Sequence, residues 1–492
     1  MIQFIQQAKY RGNRKAIISN GRAFNYQELF EVSEQFAKVL LQEQDDLQEA
    51  RVAFMVQPGF DYVSVQWGIW LSGAITVPLC LTHPLPSLLY VLEDAEVTVL
   101  VVSPVYKDLL AAVAAEKGIR LIVLGETTVF PEKELPNIDN GRRAMILYTS
   151  GTTNKPKGVV TTHDNLNAQV TTLLNAWDWS ENDHILCVLP LHHVHGVVNV
   201  VCCSLSIGAV CEFIDGFSAE AIFGLFEKGN INVFMAVPTI YYKLITYFES
   251  LPIEQQQVFT TSMIKFRLMV CGSAALPVSV MQKWKSISGH TLLERYGMTE
   301  IGMAISNPYT GERKAGFIGI PLPGVDVRLV DELYQNVIPG EPGEILIKGK
   351  NVFQEYWNKT EATTKEFTSD GWFKTGDVAV VEDGYYRIMG RNSVDIIKSG
   401  GYKISALEIE EELRKHELIN DCAVIGIPDE EWGELIVCVL VSDGGSIDLD
   451  ELNSWLRERM ASYKTPRKYL LIEELPRNAM GKVTKNELKK LF

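Results

Sequence analysis

A chain of 492 residues is too long for one hydrophobic core, so a large domain and at least one smaller one are expected. Hydrophobic residues at 47% and charged residues at 22% make an ordinary globular balance and argue against disorder. The formal charge of −15 argues against nucleic acid as the main partner, because a phosphate backbone needs a basic face, whereas a small anion needs only a few local donors.

The opening segment, MIQFIQQAKYRGNRKAIIS, lacks the long apolar region and small-residue cleavage site of a secretory signal. Through the first half, β-branched runs alternate with amphipathic stretches. ARVAFMVQ (50–57), TVLVVS (98–103) and RLIVLG (120–125) read as buried strands, while residues 26–42 and 87–95 read as helices. That alternation predicts α/β layers with mainly parallel strands. The most apolar stretch, 197–214, is interrupted by Asn199, Ser204, Ser206, Gly208 and Glu212, so it reads as a buried helix leading into a buried strand, with no membrane span.

From about Gly340 the Gly/Asp turns of PGEPGEILIKG and DGWFKTGDVAVVEDGYYRIMG predict short antiparallel strands. Beyond Arg391, Ser405 opens a helix in SALEIEEELRK with Glu408 placed to complete a capping box. CAVIGIP and LIVCVLV then supply strands and LDELNSWLRERMA a helix. The eight cysteines, at 80, 187, 202, 203, 211, 271, 422 and 438, form no CxxC pair and sit mostly in apolar runs. Buried free thiols in a reducing, cytoplasmic compartment are the expectation.

The densest chemical signal is Tyr148–Gly158, YTSGTTNKPKG, which follows the strand-like AMIL. Its small hydroxyl residues and glycines (Thr149, Ser150, Gly151, Thr152 and Thr153) let backbone N–H groups approach an anion, and Lys155 and Lys157 add positive charge. It is not a Walker A loop, since G-x4-G-K-[ST] is absent. The bland alternative is a polar surface loop.

This segment resembles the signature loop of the adenylate-forming superfamily, which includes acyl-CoA synthetases, luciferases and peptide-synthetase adenylation domains. Asn154 stands where the familiar loop has Gly. Asn tolerates left-handed backbone angles better than most residues. Further motifs follow in the family's order across nearly the whole chain. In Tyr296-Gly-Met-Thr-Glu300 the resemblance implies that Thr299 contacts phosphate and Glu300 holds Mg²⁺, a hard cation taking oxygen ligands. In Lys374-Thr-Gly-Asp377 it implies that Asp377 accepts from the ribose hydroxyls. In the hinge-like segment 390–401, Arg391 would reach ribose or phosphates, and Ser393 matches the pivot. Ser399, Gly400 and Gly401 would meet the incoming thiol. Lys482, in PxxxxGK, would be the lysine required for adenylation. The nucleotide would also lie against Gly272, Ser273, Ala274, Glu294, Tyr296, Gly297 and Met298.

The resemblance implies an α/β fold with a large multi-layer N-terminal domain over 1–390, built of parallel sheets with helices plus a small β-rich subdomain. A small mobile α+β C-terminal domain would occupy 391–492. The implied activity is ATP-dependent activation of a carboxylic acid to an acyl-adenylate, followed by transfer to coenzyme A. A carboxylate is a poor nucleophile and the α-phosphate is shielded by negative charge, so positioning and electrostatic stabilisation must supply most of the rate.

Two places bear on the acid. In Pro190-Leu-His-His-Val-His-Gly196, three histidines within four residues invite a metal reading, but no Cys or second ligand group lies in a suitable nearby pattern. By resemblance His193 matches the gate position of the acyl tunnel, and His195 would face the substrate. The second place is Arg295, beside an otherwise apolar pocket, where a cation is expensive unless its charge is met. A second substrate carboxylate would meet it in bidentate fashion, with Ser273 and His195 completing the oxygen's partners. HHVHG, GSAALP and ERYGMTE together resemble the malonyl-CoA synthetase branch, which implies malonate, with methylmalonate one methyl away. The rival reading is a medium-chain or aromatic acyl-CoA ligase in which Arg295 is structural, paired with Glu294 or another acid. A regulator that has lost catalysis, a luciferase-like oxygenase and a loader of a carrier-protein thiol remain further alternatives.

Overall fold

The computed structural model describes residues 2–126, 132–149, 155–392, 394–442, 447–477 and 481–492. Among them, two large sheets dominate. In the first, the strands Lys15–Ser19, Val210–Phe213, His184–Cys187, Val233–Ala236, Leu268–Cys271 and Leu293–Met298 run parallel, with antiparallel strands added at both edges. In the second, Arg120–Val123, Val99–Val102, Arg51–Met55, Ile75–Pro78 and Arg143–Thr149 run parallel, and Lys157–Thr162 turns back antiparallel on the last of these.

Side-chain alternation along each strand builds the layers. Val52 and Phe54 join Ile185 and Val233 in one central core that holds the inner faces of both sheets and the helices Tyr26–Leu41 and Phe60–Leu71. Ala53 and Met55 face the opposite way, under the helices Leu85–Asp94 and Lys107–Glu116. The outer face of the first sheet, with Leu186, Phe234 and Met269, is covered by Ala219–Glu227, Pro238–Glu249 and Val278–Ser288. Strands buried on both faces need continuous apolar runs, and that is what the first half of the sequence supplies.

Beyond these layers, Val325–Val330, Gly343–Gly349, Phe373–Glu382 and Tyr385–Arg391 form an antiparallel sheet, as the turn spacing predicts. A last sheet holds Ile396–Ser399, Tyr402–Ser405, Asp421–Asp429 and Gly433–Val441, with Lys468–Leu471 parallel on its edge, and has its own two small cores. The apolar stretch from Val197 is a helix and then the strand Val210–Phe213, as expected, but its first part, His195–Cys202, is wound as a π-helix. No helix among the described residues is long and apolar enough to cross a membrane. The eight cysteines are buried and unbridged.

One expectation needs correction. Ser405 does cap the helix Ala406–Leu413, accepting from Glu408 N at 3.2 Å. The reciprocal half of the capping box is replaced, because the Glu408 carboxylate takes the ammonium of Lys464 at 2.6 Å. A full charge from a distant segment is a stronger partner than one backbone N–H.

Candidate active site

Open α/β sheets place ligands at the carboxyl ends of their strands. Thr149 ends the strand Arg143–Thr149, Gly272 to Ala274 follow Leu268–Cys271, and Thr299 and Glu300 follow Leu293–Met298. The histidine segment follows His184–Cys187. Four distant stretches of sequence thus reach one rim.

On the nucleotide side, Tyr296 Oη donates to Asp377 Oδ2 at 2.6 Å, and Arg391 Nε donates to Asp377 Oδ1 at 2.9 Å. Asp377 is buried, so the guanidinium compensates a carboxylate that would otherwise be costly. Glu300 accepts from Tyr356 Oη at 2.9 Å. Burial pushes its carboxyl above the ordinary value, while Arg391 and Lys157 act in the opposite direction. A half-buried carboxylate short of positive charge, at a phosphate rim, fits one protein ligand of Mg²⁺, a cation that takes the rest of its oxygens from phosphates and water. Among the described residues no cluster of three His, Cys, Asp or Glu side chains could hold a metal alone.

The hairpin of the signature segment is described at its two arms only. Ser150, Gly151, Thr152 and Thr153 lie outside the described residues, as does Ser393. Lys155 Nζ stands 5.4 Å from the ring centroid of Tyr90. Lys157 Nζ lies 4.4 Å from that of Tyr356 and 3.6 Å from Glu366. Lys157 and Tyr356 therefore join this hairpin to Glu300. Tyr356 was not legible in the sequence, since it sits in the two-residue strand Glu355–Tyr356, paired with Val159 and Val160 far away in the chain.

Lys482 is brought to the same place. Although its side chain is exposed, partial desolvation by the surrounding cleft and the charge of Arg391 lower its ammonium pKa, and Asp377 and Arg295 also act on it. Its lobe docks through Glu411, which accepts from Val278 N at 3.2 Å, and through Gly481, against Thr239. Ser399, Gly400 and Gly401 are not brought into this cluster. Their hairpin turn packs on Trp432 of the same lobe, with Gly400 N donating to Trp432 O at 2.9 Å.

The acyl side is built around Arg295, which is 3% exposed. Neighbouring strand residues point to opposite faces, so Glu294 cannot pair with it. Instead Glu294 accepts from Leu276 N at 3.3 Å, and burial raises its pKa to about 8, which leaves it largely protonated at neutral pH. Arg295 makes no ion pair among the described residues. Its Nη2 donates to Ser273 Oγ at 3.2 Å, its Nε has no partner there, and burial lowers its pKa to about 10. Ser273 is held at φ +72°, a left-handed angle that costs a non-glycine residue about 1 kcal/mol or more and recurs where function over-determines the backbone.

Ser273 Oγ also lies 3.1 Å from His195 Nδ1. The Ser273 oxygen accepts from Arg295, and the direction of its bond with Nδ1 follows the tautomer of the ring. Burial holds His195 neutral, and its Nε2 has no partner among the described residues. The pocket thus presents two buried nitrogens, Arg295 Nε and His195 Nε2, that have no partner among the described residues. His193 lies against His192 with ring centroids 4.0 Å apart and tilted planes, and its pKa is lowered to about 4 by burial and by the charge of Lys482.

Gly272 matters for what it lacks. A Cβ there would stand 2.7 Å from Cζ of Arg295. Gly272→Ala should therefore displace the guanidinium at about 1–3 kcal/mol, the usual range for overpacking. Roughly tenfold or more should be lost in kcat/KM for the acid, with KM for ATP little changed. Steady-state kinetics in each substrate checks this.

Comparison with known proteins agrees with this layout. The family model for AMP-binding enzymes matches residues 4–357, and that for the AMP-binding enzyme C-terminal domain matches residues 408–482. The chain is 47% identical to the malonate–CoA ligase ACSF3, mitochondrial, of Bos taurus, over 97% of this chain and 88% of that protein. It is 39% identical to a malonate–CoA ligase of Arabidopsis thaliana, over 97% of this chain and 86% of that one. The crystal structure of ATP-bound MatB from Rhodopseudomonas palustris matches with a TM-score of 0.91 at 32% identity, covering 100% of this chain and 98% of that one.

Proposed function

We propose that this chain, which belongs to the AMP-binding enzyme family, is an ATP-dependent malonate–CoA ligase that works through a malonyl-adenylate. The observation that carries the choice of acid is Arg295, a buried cation with no acid paired to it among the described residues, flanked by Ser273 and His195. A monocarboxylate would leave it unpaired. The far carboxylate of malonate meets it, which turns the near carboxylate toward the nucleotide.

In the first step an oxygen of that near carboxylate attacks the α-phosphorus of ATP, and the bond to the β-phosphate breaks to release pyrophosphate. Asp377 holds the ribose, with Tyr296 and Arg391 fixing its carboxylate. Thr299, the amides of the 149–153 loop, Lys155 and Lys157 hold the phosphates. Gly272, Ala274, Gly297 and Met298 wall the nucleotide through their backbone. Glu294, turned to Leu276, contributes through its main chain. Lys482 supplies positive charge where the carboxylate and the α-phosphate meet. Mg²⁺, held by Glu300 and phosphate oxygens, would neutralise charge on the departing pyrophosphate.

In the second step the sulfur of coenzyme A attacks the acyl carbon and AMP leaves. We assign residues 1–390 to the large domain and 391–492 to a mobile one that turns about Ser393. That turn withdraws Lys482 and brings Ser399, Gly400 and Gly401 to the thiol, while His193 gates the acyl tunnel. Hinge motions of this kind are common in enzymes that close a site around successive substrates. We place the enzyme in the cytoplasm, where buried thiols stay reduced. The bovine relative is named mitochondrial, and fractionation of source cells decides between the two.

The test is a panel of acids with ATP, coenzyme A and coupled detection of AMP. Malonate should be consumed with stoichiometric AMP. Butyrate should react about 10⁴-fold more slowly, as sites lose when a group they hydrogen-bond is missing. Butyrate or benzoate turning over as fast as malonate would overturn the assignment of Arg295 and favour the monocarboxylate reading.

A further inference from the structure

One buried cation takes no part in the chemistry above. Lys485 opens the helix Lys485–Lys489, three residues beyond Lys482, and is 8% exposed. Its Nζ stands 2.7 Å from Asp395 Oδ1 and 2.6 Å from Glu410 Oε1. Glu410 in turn accepts from Val424 N at 2.8 Å and from Arg414 Nη2 at 3.3 Å, which ties this side to the small sheet. Asp395 offers its other oxygen to the main-chain N–H of Arg391 at 3.0 Å. The fit there is close. A Cβ on Gly390, at φ +128°, would stand 2.4 Å from Cβ of Asp395.

The result is an unbroken series, Tyr296–Asp377–Arg391–Asp395–Lys485, running from the nucleotide groups to the segment that carries Lys482. Its bond from Arg391 N to Asp395 crosses position 393, and it is formed here together with the placement of Lys482 near Arg391 and Asp377. A buried ion cluster is weak evidence for stability, because well-packed apolar residues often serve as well. What such a cluster adds is register.

We propose that Lys485 is a positioning residue that fixes the reach of Lys482 by pinning its segment to Asp395, and so serves adenylation rather than thiol transfer. This rests on the reading of Lys482 as the adenylating lysine. A misplacement of about 1 Å costs on the order of a hundredfold in rate.

Two isotope exchanges on the full chain separate the half-reactions. Malonate-dependent exchange of labelled pyrophosphate into ATP reports adenylation. AMP-dependent exchange of labelled coenzyme A into malonyl-CoA reports thiol transfer. Lys485→Met should lose about a hundredfold in the first exchange and stay within about threefold in the second. Asp395→Asn keeps the Lys485–Glu410 pair and an acceptor for Arg391 N, so it serves if Lys485→Met does not fold, and it should show the same one-sided loss. Equal loss in both exchanges, or no loss in either, by whichever variant folds would overturn the proposal. Failure of the wild-type chain to exchange pyrophosphate with malonate would sink the functional reading instead. Loss of both exchanges in Lys482→Ala would sink the role of that lysine.

Discussion

Arg295→Ala is expected to abolish malonate activation, by about 10⁴-fold or more, while ATP binding is retained and thermal stability does not fall. The two halves of that expectation have different origins. Activity is lost because the pocket's donors converge on a carboxylate whose principal counter-charge has gone. Stability holds because, among the described residues, Arg295 is buried with no acid paired to it and with Nε unpartnered. An uncompensated buried charge carries a desolvation penalty that a well-packed apolar side chain does not. Arg295→Met, closer in volume, should therefore match or exceed the wild-type melting temperature without malonate and lose the rise that malonate gives the wild type. Kinetics with ATP-binding measurements checks the first half, and melting curves with and without malonate check the second. A sharp drop in melting temperature would mean that Arg295 is structural, as the rival reading holds.

The second large effect is expected at Lys482. Lys482→Ala should reduce pyrophosphate exchange by about 10²- to 10³-fold, the usual cost of removing one charge-stabilising group from a transition state. Coenzyme A exchange should persist. The ammonium must be protonated to act, and partial desolvation in the cleft with Arg391 nearby lowers its pKa below the ordinary 10.5. Adenylation should then fade as pH rises through that lowered value, earlier than a solvated lysine would allow. Lys482→Arg, which stays charged, should lose that alkaline limb even where its absolute rate is poor. An alkaline limb identical in both proteins would show that another group titrates.

The sequence carried much of this layout because the chemistry is written in short motifs. YGMTE and KTGD name residues that the fold then joins by the Tyr296–Asp377–Arg391 bonds. The α/β layering was likewise legible, since parallel strands covered on both faces require apolar runs. Other features depended on long-range pairing and left no local trace. Tyr356 reaches Glu300 only because two residues pair with a strand some two hundred positions earlier. Glu408 stands where a capping box expects it, yet its carboxylate follows Lys464, a partner no spacing rule nominates. That Arg295 needs a substrate carboxylate was legible, but its rival partner could not be dismissed from sequence. From sequence, Glu294 beside it looked like a ready acid, and only strand alternation with the protonated state of Glu294 separates the two.

The wide coil at His195–Cys202 gives the acid pocket an unusual handle. A π-helical turn amounts to one residue more than an α-turn would use. Shortening the stretch between Val197 and Val201 by a single position would let the coil tighten and swing the His195 imidazole about a quarter-turn off the Ser273 hydroxyl. Selectivity in this pocket is therefore open to change by length, a kind of variation that residue-by-residue scanning never samples.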